Sequence, residues 1–448
     1  MFLSKNLEAI SIWVDYCPQF LVRSLQDAVV AKTSSVEPGL IINIFFKMDF
    51  LNIVEIVFLF VGGILIIPCV VFFMECFAAF VAKTDLESDS KNLDRPKTTV
   101  LIPAHNEAEQ IKEVIEVLQQ QVTERDEIIV IADNCHDNTA KLARSTGVKV
   151  LERENLHDRG KGYALDYAIK QIENSPPEVL VILDGDCIIE PNTIKNITRK
   201  AIATGRPVQS TYLMEQPENP GLKDNISMFA IKIKNLVRLL GLKRMGWHCL
   251  LTGSGMAFPW SLIERVSLAG SKTTDDMQLT VDLALAGSTP VFCENAFVVG
   301  RLMKDKAAKS QRSRWEHGHL EMILVEVPRL LKAFLKTGNM AALGLALDIF
   351  IPPLSLLVIT WTGSMIITWL AVATLGISIL PGILVTIAGV FLLAAVLFAW
   401  AGFGRSDISL KNLIAIPFYV LSKIPIYLKF IVKPQSRWLK TERDLPVD

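Results

Sequence analysis

The sequence predicts an α/β protein: a mostly parallel sheet with helices on both faces, joined to transmembrane helices. Between residues 97 and 207, short apolar runs rich in β-branched residues alternate with stretches of helical period. Asp133 and the pair Asp184/Asp186 fall where two of those runs end. Open sheets of this type bind ligands at that edge. The mean hydropathy of +0.37 is high for a soluble enzyme. Its excess lies in residues 51–81, where only Glu55 and Glu75 are charged, and 343–403, where only Asp348 is.

The elements follow in order. Residues 1–48 are mixed in character and carry no assignable function; Lys5, Glu8 and Asp15 interrupt any apolar core of a signal peptide. Residues 49–82 are long and apolar enough to cross a bilayer. After a polar linker, residues 98–103 form a first strand. A helix over 106–120 places Ile111, Val114, Ile115 and Leu118 on one face. Strands over 127–132 and 148–152 flank a helix at 138–145, and another helix starts near Gly160-Lys161-Gly162. The run 179–183 is a buried strand ending in Asp184-Gly185-Asp186. Beyond Pro207 the pattern loosens: a helix at 227–242, a small-residue loop or strand at 251–258, a helix at 277–286 and a strand at 291–299. Residues 311–335 read as one long helix, 321–342 being membrane-proximal, and 343–403 hold two spans. The segment 412–448 reads as interfacial or a third C-terminal membrane segment, with a basic tail.

Composition narrows the function. A net charge of +0 and a pI near 7.0 give no electrostatic footprint for nucleic acid. The seven cysteines show neither zinc spacing nor a disulfide framework, as in a reduced cytosolic compartment.

The chemistry lies in a series of polar motifs. Asp184-Gly185-Asp186 at a strand end can hold a divalent cation, Mg²⁺ or Mn²⁺, which would in turn grip a diphosphate; Asp184 faces the nucleotide and Asp186 the metal. Asp133 can accept from a base N–H or a ribose hydroxyl; taken alone it is equally a helix-capping aspartate. Thr274-Asp275-Asp276 sets two carboxylates side by side, a way to raise a pKa and keep a proton acceptor, although acidic residues also suit a helix N-terminus. Gln311 and Arg314 share one helix face, where a guanidinium pairs with phosphate oxygens, and Trp315 offers a flat face to a sugar. Thr252-Gly253-Ser254-Gly255 lets backbone approach a substrate. Arg159-Gly160-Lys161-Gly162 is a weaker signal for phosphate contact. The common theme is a nucleotide-activated donor and a hydroxyl acceptor.

The order Pro103-Ala104-His105-Asn106-Glu107, Asp133-Asn134, Asp184-Gly185-Asp186, Thr274-Asp275-Asp276, Gln311-x-x-Arg314-Trp315 resembles the membrane-bound family 2 glycosyltransferases, which include cellulose, chitin, hyaluronan and poly-N-acetylglucosamine synthases. The resemblance covers about residues 97–320. It implies a GT-A fold, a UDP-sugar donor and inversion at the anomeric carbon. By position, Asp133 would contact the uracil, Asp184 the nucleotide and Asp186 the metal. Asp276 would be the base, Gln311 and Arg314 would hold the pyrophosphate, and Trp315 would border the acceptor, which Thr252, Gly253 and Ser254 cradle. Asp275 departs from the family's usual Glu and leaves Asp276 in place.

Nucleotide sugars are cytosolic, so the expected arrangement is a multi-pass protein of the plasma membrane with its catalytic domain inside. The expected partners are a nucleotide-sugar donor, a glycan or lipid-linked acceptor, membrane lipids and polysaccharide-assembly proteins. A processive synthase that extrudes its polymer is the alternative enzyme. A transporter or scaffold is the alternative class, opposed by acidic motifs that lie in the polar middle rather than within spans.

Overall fold

The computed structural model describes residues 38–81, 94–269, 275–301 and 305–432. Its centre is an eight-stranded sheet. The strands are β1 (Thr98–Ala104), β2 (Glu127–Asp133), β3 (Lys149–Arg153), β4 (Val179–Ile182), β5 (Cys187–Ile189), β6 (Val208–Met214), β7 (Met256–Pro259) and β8 (Val291–Gly300). The order is β3-β2-β1-β4-β7-β6-β8-β5. The half built from β3, β2, β1 and β4 is parallel, as the strand–helix alternation predicts. β7 runs antiparallel between β4 and β6, and β5 runs antiparallel to β8, while β6 and β8 are parallel.

Both sheet faces are covered, which is why β4, and β1 beyond Thr99, are continuously apolar rather than alternating. On one face Val100, Ile102, Val179 and Val181 pack with Ile111, Val114, Ile115 and Leu118 of helix Ile111–Gln119 and with Ile194 and Ile197 of helix Thr193–Thr204. On the other, Leu101, Leu180 and Ile182 meet Ala164, Leu165 and Ala168 of helix Lys161–Ile172 and Leu279 and Leu283 of helix Asp275–Leu285.

Several expected boundaries move for local reasons. The helix expected from 106 starts at Ile111, because Asn106 adopts φ 56° and its Oδ1 accepts from the His136 amide at 2.8 Å. The helix expected at 227–242 is Leu222–Lys232 and Arg238–Arg244, joined by a π turn over Ile233–Val237. Asp348 belongs to no span. It lies near the end of a separate helix, Met340–Ile349, buried against the catalytic half.

Among the described residues, three helices are long and apolar enough to cross a membrane: Phe50–Val81, Leu354–Leu375 and Leu380–Gly404. Their outer faces expose Ile56, Phe60, Ile366, Val390 and Leu393. The segment after them breaks into short helices, Leu410–Ile414, Ile416–Leu421 and Ile424–Val432, with Pro417 and Pro425 in the first turns of the last two. It is tied to helix Asp305–Thr337 by Lys423–Glu316 at 3.0 Å and His317 Nε2–Ile426 O at 3.0 Å. The basic tail beyond 432 lies outside the described residues.

Candidate active site

The carboxyl end of β4 opens onto a cleft of about 330 Å³. Asp184, Asp186, Thr252, Gly253, Asp276, Gln311, Arg314 and Trp315 all line it, from segments far apart in the chain. Strand pairing continues to the mouth, where the Leu183 amide donates to Leu101 O at 3.1 Å. Asp184 and Asp186 therefore emerge where the ladder stops.

Asp133 and Ser254 do not line the cleft. The Asp133 carboxylate accepts from Arg153 Nη1 at 2.6 Å and from Asn134 Nδ2 at 3.1 Å. Ser254 is fully buried, and its Oγ accepts from the Asp184 amide at 3.1 Å, so it fixes the strand end. Thr274 lies outside the described residues, and Asp275 begins the helix that carries Asp276.

Two further residues complete the site. Lys161, which the Gly-rich stretch only faintly suggested, donates to Asp184 and, at 2.5 Å, to Gly253 O. Burial disfavours its ammonium, but Asp184 and then Asp276 outweigh that and hold its pKa above the ordinary lysine value. Gln209 is fully buried; its Oε1 accepts from the Thr252 amide at 2.9 Å and its Nε2 donates to Ser254 O at 2.9 Å. One amide side chain thus holds the loop on both sides of Gly253. Nothing in a β-rich run marks such a glutamine from sequence.

Gly253 has φ 96°, and a Cβ there would lie 3.6 Å from Asp276 Oδ2 and 4.0 Å from Lys161 Nζ. Backbone, base candidate and lysine therefore share one small space. Burial pushes the Asp276 carboxyl above the usual aspartate range, against the opposing pull of Lys234, a backbone hydrogen bond and Lys161. Such a shift suits a proton acceptor.

The residues fit a hard divalent cation. Asp184, Asp186 and Cys187 each bring a ligand atom within 4.8 Å of the others. Burial, and then Asp186 and Asp184, hold the Cys187 thiol well above its ordinary pKa, which leaves the two carboxylates as the charged donors. What remains is carboxylate oxygen, the donor type for Mg²⁺ or Mn²⁺ rather than zinc. Burial and the neighbouring Asp184 push the Asp186 carboxyl up to about 6, the mark of a site short of positive charge.

Comparison with known proteins agrees with this geometry. The family model described as "Glycosyltransferase like family 2" matches residues 96–318. A Rickettsia typhi glycosyltransferase is 32% identical over 108 residues, covering 24% of this chain and 32% of the relative. The 4,4'-diaponeurosporenoate glycosyltransferase of Staphylococcus aureus is 34% identical over 93 residues, covering 20% of this chain and 24% of the relative. The chain thus spans a third or less of these relatives' lengths. Among solved structures, a Pyrobaculum calidifontis mannosyltransferase in complex with GDP-Man and Mn²⁺ superposes with a TM-score of 0.51. That alignment has 16% identity and covers 85% of this chain and 99% of that one. At that identity the likeness shows the fold alone, which is GT-A. With its cleft at the carboxyl edge of a GT-A sheet and the family match running from 96 to 318, the chain belongs, through that domain, to glycosyltransferase family 2.

Proposed function

We propose that the chain is a membrane-integrated, inverting glycosyltransferase that moves a sugar from a nucleotide-sugar, a UDP-sugar foremost, to a hydroxyl of a membrane-held or growing glycan acceptor in envelope or exopolysaccharide synthesis. The supporting observation is the convergence of Asp184, Asp186, Asp276, Gln311, Arg314 and Trp315 on one cleft. Asp276 takes the acceptor proton as the hydroxyl oxygen attacks the anomeric carbon, and the bond to the diphosphate oxygen breaks on the opposite face. General-base help of this kind contributes about 10²–10⁴-fold. Gln311, Arg314 and Lys161 orient the diphosphate and stabilise its growing charge. Mg²⁺ or Mn²⁺, held by Asp186 with Asp184 beside it, would supply further positive charge to that leaving group. Asp184 and Asp133 address the nucleoside end, while Thr252, Gly253 and Ser254 shape the acceptor side that Trp315 borders.

The three long apolar helices support an integral membrane protein, and the cytosolic pool of nucleotide-sugars supports a catalytic domain on that side of the plasma membrane. The test is transfer by the full chain in lipid nanodiscs from radiolabelled UDP-sugars, with GDP-mannose alongside, reading donor choice and product length. Transfer should stop with EDTA, return with Mg²⁺ or Mn²⁺, and be absent in Asp186→Ala. Unimpaired transfer in chelator would remove the metal assignment. Long products would make the enzyme processive, and none with any donor would overturn the catalytic reading.

A further inference from the structure

A second cavity of about 210 Å³ lies between the catalytic domain and the candidate spans, and Trp315 lines both it and the active-site cleft. Its walls include Phe72 from the first span, Val358 from the second and Val396 from the third, with Phe229 from the catalytic side. Phe72 lies nine residues before Val81 and Val396 eight before Gly404, so the cavity reaches about 12–14 Å along the helices from those ends. At about 30 Å³ per water-sized group, the volume holds a chain of roughly seven methylenes.

The polar groups at the cleft end are largely compensated. Lys423 pairs with Glu316 at 3.0 Å, and Arg238 is bound by both Glu75 and Asp348. His319 is kept neutral by burial and then by Lys234, which together bring its pKa down to about 3. The ammonium of Lys234, itself disfavoured by burial, has Asp276 as its strongest opposite charge. Hydroxyl groups would find donors and acceptors here, among them Lys234, Ser355 and Glu316.

Building on the glycosyltransferase reading, we propose that this cavity receives the apolar chain of a membrane-resident acceptor whose neutral, hydroxyl-bearing head passes Trp315 to reach Asp276. Lipid tails are as apolar as the cavity wall, so moving a chain from bilayer to cavity adds little affinity. The cavity acts by register. It holds the chain so that one hydroxyl stays beside the base, and correct placement of this kind is worth large rate factors.

The experiment uses the full chain in nanodiscs with a heptyl β-glucoside carrying a diazirine at the end of its chain. Photolabelling followed by peptide mapping should mark the cavity-wall residues Phe72, Phe229, Val358 and Val396. Val358→Trp fills the cavity and should cut that labelling at least 10-fold, with UDP affinity changed less than 2-fold. Ala230→Leu, a milder filling, serves if the tryptophan variant misfolds. Transfer to the glucoside should fall in parallel with labelling, while transfer to free glucose should be poor in every variant. Labelling spread over the outer faces of the spans and insensitive to both variants would overturn the proposal, as would free glucose accepting sugar as well as the alkyl glucoside. The labelling needs no donor, so specific labelling without transfer from any donor would count against the enzymatic reading and leave the cavity assignment standing.

Discussion

Asp276 is the residue on which the proposed chemistry turns. Asp276→Asn keeps size and hydrogen-bonding shape but removes basicity. Turnover should fall by at least about 10²-fold while UDP binding, read by calorimetry, stays within a few-fold. Its raised pKa also gives a direction: the base works only when deprotonated, so kcat/KM should decline on the acid side through a pH above the ordinary aspartate value. A limb at ordinary carboxylate pH that persists in Asp276→Asn would move the base elsewhere. Arg314→Lys gives a separate measurement. A point charge lacks the planar fork that meets two oxygens, so UDP affinity and turnover should both drop, whereas an arginine that only anchors its helix at headgroups would tolerate lysine. Asp184, Asp186, Asp276, Gln311, Arg314 and Trp315 were legible because each combines a chemical type with a place in a spaced motif. Lys161 and Gln209 were not. Their partners, Asp184 and Gly253 O for one and Thr252 and Ser254 for the other, become neighbours only through the sheet.

Among the elements, the loop Thr252–Gly255 is tightly constrained. Gly255 has φ 67°, and a Cβ there would lie 2.0 Å from Ser210 Oγ and 2.5 Å from Val298 Cγ2. Gly255→Ala therefore meets both an unfavourable backbone region and a clash on the sheet. It should destabilise the domain by at least about 1 kcal/mol, seen as a lower melting temperature. Transfer should suffer more than nucleotide binding, because Thr252 and Gly253 line the cleft. The parallel strands were legible from apolar runs that end in aspartates. The turn at Ile233–Val237 was not, since it has the same helical periodicity as its flanks and differs only in one extra residue within the turn. Nor did sequence separate the helix Met340–Ile349 from the spans, because an apolar helix buried in protein and one facing lipid share a composition.

Across the whole molecule, one buried cluster joins membrane and catalytic parts. Arg238 Nε donates to Glu75 Oε2 at 2.6 Å, its Nη2 reaches Asp348, and His248 Nε2 lies 3.4 Å from the other Asp348 oxygen. The backbones are equally close: a Cβ at Gly241 would fall 1.9 Å from Glu75 O. Removing one partner of such a buried pair typically costs about 3–5 kcal/mol. Arg238→Met should accordingly lower the detergent-solubilised protein's unfolding temperature sharply, and Glu75→Gln by less, since an amide oxygen still accepts from the guanidinium. Equal, small shifts would show that the cluster contributes little to holding the two parts together.

That pairing also bears on how the chain is made. Glu75 and Arg238 are separated by 163 positions. At roughly 5–20 residues per second a ribosome needs about 8–33 s to cover that distance. A first span that inserts as it is made would therefore do so well before its counter-charge exists. The catalytic domain would then dock onto a helix already in place, whose Glu75 gives Arg238 one of its two carboxylate partners. A domain excised at residue 97 would carry Arg238 with half its partners missing, so the anchor is also a folding template.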